Sequence, residues 1–316
     1  TCALPISYIT QVHLSDDATV LVYENGSAIK TYDWVSGAWS LQDTMTRSTA
    51  TPGTCSGINL YLAISGDGTV LFTSCYTPNP DYDTRVTEWA RSGGGGWNYQ
   101  REFVTQTGNQ NPKITSDYDG NTIVIWYSSG GYFDTYDKSG STWSKRTQTY
   151  DYWLSYSTPQ YMKLNAAGDE LFVFDDHGYQ DKGLFLRMSW NSGTSNWDAD
   201  WGHAGTISYR GSQIPQQVSC SSDLNVVAWA DEDNDGFEIL KWDSTSGTYR
   251  YLAGGKGGLT FPDNNFNFST GLDGDGSHFV GWNNDIDELN TYTVPDNWTE
   301  VGAAGTTALP IVYNNS

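Results

Sequence analysis

The four cysteines, Cys2, Cys55, Cys75 and Cys220, include no Cys-x-x-Cys pair, so a thiolate zinc site is not expected. There is no Gly-x-Ser-x-Gly elbow and no His-Glu-x-x-His pair. The four histidines, His13, His177, His203 and His278, stand at non-equivalent places in the chain. No apolar run approaches the ~18 residues that span a bilayer, and no long segment places apolar residues at helical spacing. Basic residues are scarce: Lys and Arg total 16 against 37 Asp and Glu, a formal net charge of −21. A surface this acidic repels phosphate backbones and argues against a nucleic-acid partner.

What remains is turn-rich and aromatic: 34 glycines and 15% aromatic residues, with only 17% charged. The composition points to an all-β chain. Six short polar turns recur, in "LSDDATVLVY" (14–23), "ISGDGTVLFT" (64–73), "SDYDGNTIVIW" (116–126), "NAAGDELFVF" (165–174), "SSDLNVVAWA" (221–230) and "LDGDGSHFVGW" (272–282), each followed by an apolar run. Each is answered downstream by a Gly/Ser/Asn turn and a closing aromatic: Trp39, Trp97, Trp143, Trp197, Tyr249 and Trp298. The average spacing of about 52 residues is that of propeller blades.

Each copy reads as four antiparallel strands, the innermost ending at the polar turn. Pro52, Pro112, Pro159, Pro215 and Pro262 fall at inner-strand entrances, where no ladder N–H is needed. The expected architecture is a single six-bladed β-propeller over 1–316. Its repeats are roughly 5–57, 58–112, 113–160, 161–216, 217–265 and 266–306, with a tail at 307–316. The periodic aromatics are expected to fill the wedges between blades.

The pattern of a Ser-x-Asp-Gly turn, an apolar run, a Tyr or Trp and a Gly-x-Trp closure resembles secreted β-propeller repeat proteins of the integrin-like (FG-GAP) and fungal-lectin kinds. The Gly-Phe hallmark of the integrin repeat is missing. The resemblance implies calcium loops. Asp231-Glu-Asp-Asn-Asp-Gly-Phe-Glu fits one by spacing, with Asp231, Asp233 and Asp235 as alternate oxygen ligands, Gly236 at the bend and Glu238 as a closing ligand. The motif falls between the second and third strands of its copy, whereas the family places it between the first two.

Sialidases are six-bladed relatives, but the turns here lack the Trp of their Asp-box and the arginines are scattered. No enzyme is therefore expected. The expectation is an extracellular binding module for glycans or a protein partner, with Trp153, Tyr156, Trp197 and Trp201 as stacking residues. An alternative is the protomer of an extracellular filament or coat joined through residues 307–316. A second alternative is a glycoside hydrolase or sialidase-like enzyme.

A secreted location is expected from the sequons at Asn25, Asn267 and Asn297, from the even cysteine count, and from a start at Thr1 without methionine or apolar leader. The turn near Asp67 predicts a Cys55–Cys75 disulfide. Cys2 and Cys220 are then left to pair.

Overall fold

The polar turns of the repeat join an inner strand to a second strand, and in blades 1, 2 and 3 that second strand has both faces covered, which gives it a continuous apolar character. The computed structural model describes residues 11–50, 60–77, 83–107, 112–127, 131–150, 159–177, 182–199, 205–208, 218–231, 236–245, 248–254, 270–283 and 288–294. Blade 1 is β1 (Gln11–Leu14), β2 (Val20–Glu24), β3 (Ala28–Val35) and β4 (Ala38–Thr46). A single helical turn, α1 (Arg47–Ala50), follows it. Blade 2 is β5 (Leu60–Ile64), β6 (Val70–Tyr76), β7 (Asp83–Arg91) and β8 (Trp97–Thr107). Blade 3 is β9 (Lys113–Ser116), β10 (Thr122–Trp126), β11 (Tyr132–Ser139) and β12 (Thr142–Tyr150).

Blade 4 is β13 (Pro159–Leu164), β14 (Glu170–His177), β15 (Lys182–Asn191) and β16 (Asn196–Ala199), with β17 (Gly205–Ser208) as a fifth strand. Blade 5 is β18 (Val218–Cys220), β19 (Val226–Asp231), β20 (Gly236–Asp243) and β21 (Thr248–Gly254). Blade 6 has three strands among the described residues: β22 (Thr270–Leu272), β23 (His278–Asn283) and β24 (Glu288–Thr293). Six antiparallel sheets thus follow one another as meanders, five of them with four strands or more. The all-β propeller expected from the repeat is the fold observed. Strand β17 was not expected. Strand β16 pairs with the last residues of β15 and β17 with its first, so the two divide one outer edge.

The inner strands touch in the cyclic order β1, β5, β9, β13, β18, β22 and back to β1. Main-chain hydrogen bonds close the same circle at the turns. Asp16 N–H donates to Gly66 O (2.8 Å), Asp67 N–H to Tyr118 O (2.9 Å) and Tyr118 N–H to Ala166 O (3.4 Å). Ala166 N–H then donates to Ser222 O (3.1 Å), Ser222 N–H to Gly274 O (2.9 Å), and Gly274 N–H back to Asp16 O (2.5 Å).

Each turn is built by side chains that replace missing ladder bonds. Ser15 Oγ accepts from Val20 N–H (2.9 Å) and donates to Asp17 Oδ1 (2.6 Å), which accepts from Thr19 N–H (3.0 Å). Ser65, Asp67 and Thr69 repeat this, as do Ser221, Asp223 and Asn225. Burial pushes the Asp17 carboxyl up, but the Ser15 and Thr19 donors outweigh it and hold it below the usual carboxylate value.

The closing aromatics latch neighbouring blades. Trp97 Nε1 donates to Thr31 Oγ1 of blade 1 (2.7 Å), Trp143 Nε1 to Glu88 Oε2 of blade 2 (2.8 Å), and Trp197 Nε1 to Thr135 Oγ1 of blade 3 (2.8 Å). Thr31, Glu88 and Thr135 occupy one repeat position, and a β-bulge lies directly after each. The bulge re-aims that side chain into the seam. In blade 5 Tyr249 takes the place of the indole and accepts from Arg187, the matching residue of blade 4. Arg146 lies over the Trp190 ring (5.0 Å) and Arg187 over Trp242 (4.9 Å), so the seams carry cation–π contacts as well.

Two expectations are corrected by this packing. Trp197 is 3% exposed and engaged with Thr135, so it belongs to a seam and offers no free face for stacking. Cys220 carries a free, buried thiol packed among Phe172, Val218 and Leu240, so it makes no bridge to Cys2. Cys75 is not a free thiol, and its expected partner, Cys55, lies outside the described residues.

Candidate functional site at the ring axis

Aligning the six inner strands on their turns sorts the residues around the axis into layers. Two residues before the turn stand His13, Ala63, Thr115, Lys163, Ser219 and Gly271. Four are small, and the two large polar ones belong to blades 1 and 4, on opposite sides of the ring. One residue into the turn stand Asp16, Gly66, Tyr118, Ala166, Ser222 and Gly274. Farther along the strands Gln11, Tyr61, Lys113 and Tyr161 share a register. The intervening residues, such as Leu62, Ile64, Met162 and Leu164, go into the blade cores.

The two sides of the ring meet at the axis. Lys163 Nζ reaches Asp16 Oδ1 at 3.1 Å, and both side chains are mostly shielded from solvent. Gly66 and Gly274 make room for Asp16, since a methyl group on Gly274 would lie 2.6 Å from the Asp16 carbonyl oxygen. Burial lowers the His13 pKa to about 4, with the Lys163 charge adding to the effect. The imidazole is therefore neutral across the physiological range.

Tyr161 Oη accepts from Cys220 N–H (3.1 Å). Burial raises its phenol well above the usual range, so it stays protonated. Burial raises the Cys220 thiol likewise, so that sulfur is neutral and a poor nucleophile. Ser219 Oγ and Ser222 Oγ are buried without a hydrogen-bond partner, and both stand in these layers on blade 5. A buried hydroxyl left unmatched is costly unless a ligand or water meets it.

The cluster thus combines a fixed ammonium, a neutral imidazole, a protonated phenol and two unengaged hydroxyls. It was missed in the sequence because His13 reads as a lone histidine. The signal lay in the aligned inner strands, where two bulky polar residues share a layer of small ones.

Several of the residues expected to carry function lie outside the described residues. The hairpin of β19 and β20 lies at the acidic motif, with Asp231 paired to Gly236 and Glu238 within β20. Asp233 and Asp235 lie outside the described residues, and among the described residues no group of three metal-ligating side chains occurs. Trp153, Tyr156 and Trp201 also lie outside them, as do Cys2, Asn267, Asn297 and the 307–316 tail. Asn25 is in the β2–β3 turn, where its Oδ1 accepts from Ala28 N–H (3.0 Å). No helix among the described residues is long and apolar enough to cross a membrane.

No family model matches the chain, and no curated protein matches it in sequence. Solved structures do match in fold. A Bacteroides uniformis protein provisionally named a 6-phosphogluconolactonase is 14% identical, with a TM-score of 0.57 over 96% of this chain and 83% of that one. The periplasmic gluconolactonase of Pseudomonas aeruginosa is 15% identical, with a TM-score of 0.53 over 92% and 74%. The Cps50 (Swd1) β-propeller domain of Myceliophteria thermophila is 10% identical, with a TM-score of 0.56 over 99% and 88%.

These likenesses establish the β-propeller and leave the integrin-like and lectin-like resemblance without support. They also correct the expectation that the chain is not an enzyme. That expectation rested on missing hydrolase motifs, and structures named as lactonases stand among the folds it resembles.

Proposed function

We propose that the axial cluster binds a small oxygen-rich molecule of the sugar-acid class and hydrolyses its lactone. The observation that carries this reading is the shared layer of His13 and Lys163, with Asp16 holding Lys163 from across the ring. The orphan hydroxyls of Ser219 and Ser222 supply partners for a polyhydroxylated ligand. The lactonases among the similar folds suggest the substrate class.

In the proposed reaction neutral His13 takes a proton from water as the water oxygen bonds to the lactone carbonyl carbon. The carbonyl oxygen receives the π electron pair beside the Lys163 ammonium. Collapse of the tetrahedral species breaks the ring C–O bond. The departing alkoxide takes the proton back from His13, leaving a hydroxy acid.

The test is proton release from glucono-δ-lactone, corrected for spontaneous opening. His13→Ala and Lys163→Met should each lower kcat/KM by at least ~100-fold while the protein stays folded. Activity should fall as the pH descends through about 4, where His13 takes up a proton. Hydrolysis no faster than buffer, or full activity in both variants, refutes the reading.

Two further assignments belong to the same proposal. The protein works outside the cell, which occupancy of the Asn25 sequon in native material would support. Calcium binds at Asp231, Asp233 and Asp235, and a melting temperature unmoved by chelator would refute that.

A further inference from the structure

Two tyrosines at one end of the β11–β12 ladder of blade 3 carry features that the axial site leaves unexplained. Tyr132 opens β11 and Tyr150 closes β12, and the two are direct partners in the ladder. Their ring centroids are 4.8 Å apart and the planes are tilted by 42°. Tyr132 is 39% exposed and Tyr150 51%. Among the described residues the other aromatics at this end of the blade are buried: Trp126 stacks on Phe133 at 5.3 Å, and both are fully enclosed. Tyr127 N–H donates to Tyr132 O (3.1 Å), which fixes the start of β11. The pair is therefore set by the ladder while both rings remain partly exposed to water.

We propose that Tyr132 and Tyr150 form a docking site for single sugar rings of a neutral polysaccharide. Packed against each other, the two rings still leave part of each face to solvent, and such a face can cover the C–H groups of a pyranose while the phenol hydroxyls meet its oxygens. A protein partner fits poorly, since a stable interface buries about 800 Å² per partner and two half-exposed tyrosines supply a fraction of that. Polyanionic chains are disfavoured by the net charge of −21. A single such contact is weak, and a repetitive polymer raises avidity by offering many rings to one site. This inference does not depend on the axial site.

Electrophoresis of the folded protein through native gels containing laminarin, xylan or hydroxyethylcellulose tests it. Migration should be retarded by at least one of the three. Tyr132→Ala and Tyr150→Ala should each abolish the retardation at an unchanged melting temperature. Tyr99→Ala, which removes an equally exposed tyrosine of blade 2, should keep it. Retardation by none of the three overturns the proposal. So does retardation that survives the double alanine variant, or equal retardation by the polyanion alginate.

Discussion

At the scale of single residues, the fourth position of each turn shows why these loops have their sequence. All six backbones there take positive φ: Ala18 (55°), Gly68 (69°), Gly120 (69°), Gly168 (69°), Leu224 (57°) and Gly276 (70°). Glycine serves a second purpose at four of them, because each packs on a β-branched side chain of the preceding blade. A methyl group on Gly68 would lie 2.7 Å from Val20 Cγ2, and one on Gly276 would lie 2.6 Å from Val226 Cγ2. Gly68→Ala should therefore cost about 1–3 kcal/mol in chemical denaturation, from left-handed strain plus overpacking. Ala18→Gly relieves the same strain in blade 1 and should cost less than ~0.5 kcal/mol or stabilise. Equal losses in the two variants would show that backbone strain is not the controlling factor.

At the scale of elements, the blade seam is the unit that matters, and it holds polar groups as well as rings. Glu88 is 2% exposed and is met by Lys138 (2.7 Å), Arg101 (3.0 Å) and the Trp143 indole (2.8 Å). Trp143→Phe takes a donor from a buried carboxylate and should cost about 2–3 kcal/mol; Trp97→Phe, whose acceptor is the Thr31 hydroxyl, should cost about 1. The reverse order in equilibrium denaturation would contradict the seam assignment. A second seam prediction concerns the turn of blade 3, where Asp117 replaces the usual serine. Burial pushes its carboxyl up to about 6, and the Asp119 charge adds to this. A raised carboxyl favours the protonated folded state, so this group's stabilisation is present at low pH and lost as pH rises through about 6. Asp117→Ser should thus stabilise by up to about 3 kcal/mol at pH 8, and the gain should shrink by roughly half at pH 5. A gain independent of pH would place its origin elsewhere.

Most of this element-scale order was legible in the chain. The closing aromatics and the apolar runs after the turns mark packing that recurs from blade to blade among the described residues, so they survive as a period. Trp197 was misread because exposure cannot be told from a tryptophan's neighbours in sequence when the ring faces the next blade. Cys220 was paired by elimination, and only the packing of blades 4 and 5 shows its thiol enclosed. The axial site was hidden for the opposite reason: His13, Asp16 and Lys163 break the repeat instead of following it.

At the scale of the whole molecule, the ring is closed by its own inner layer, since the Gly274 N–H to Asp16 O bond joins the last described blade to the first. Closure brings Asp16 within reach of Lys163, nearly 150 positions away in the chain. The axial cluster therefore exists only in the closed ring, and function and ring closure should be lost together on unfolding. This cluster is the proposed binding place of a small oxygen-rich ligand. A crystal structure grown with saturating gluconate, the hydrolysis product, tests it most directly. Density for the ligand is expected at the axis, against Lys163 Nζ and His13 and within hydrogen-bonding distance of Ser219 Oγ. An axis free of gluconate at saturating concentration, or gluconate bound at a different place on the ring, would contradict it.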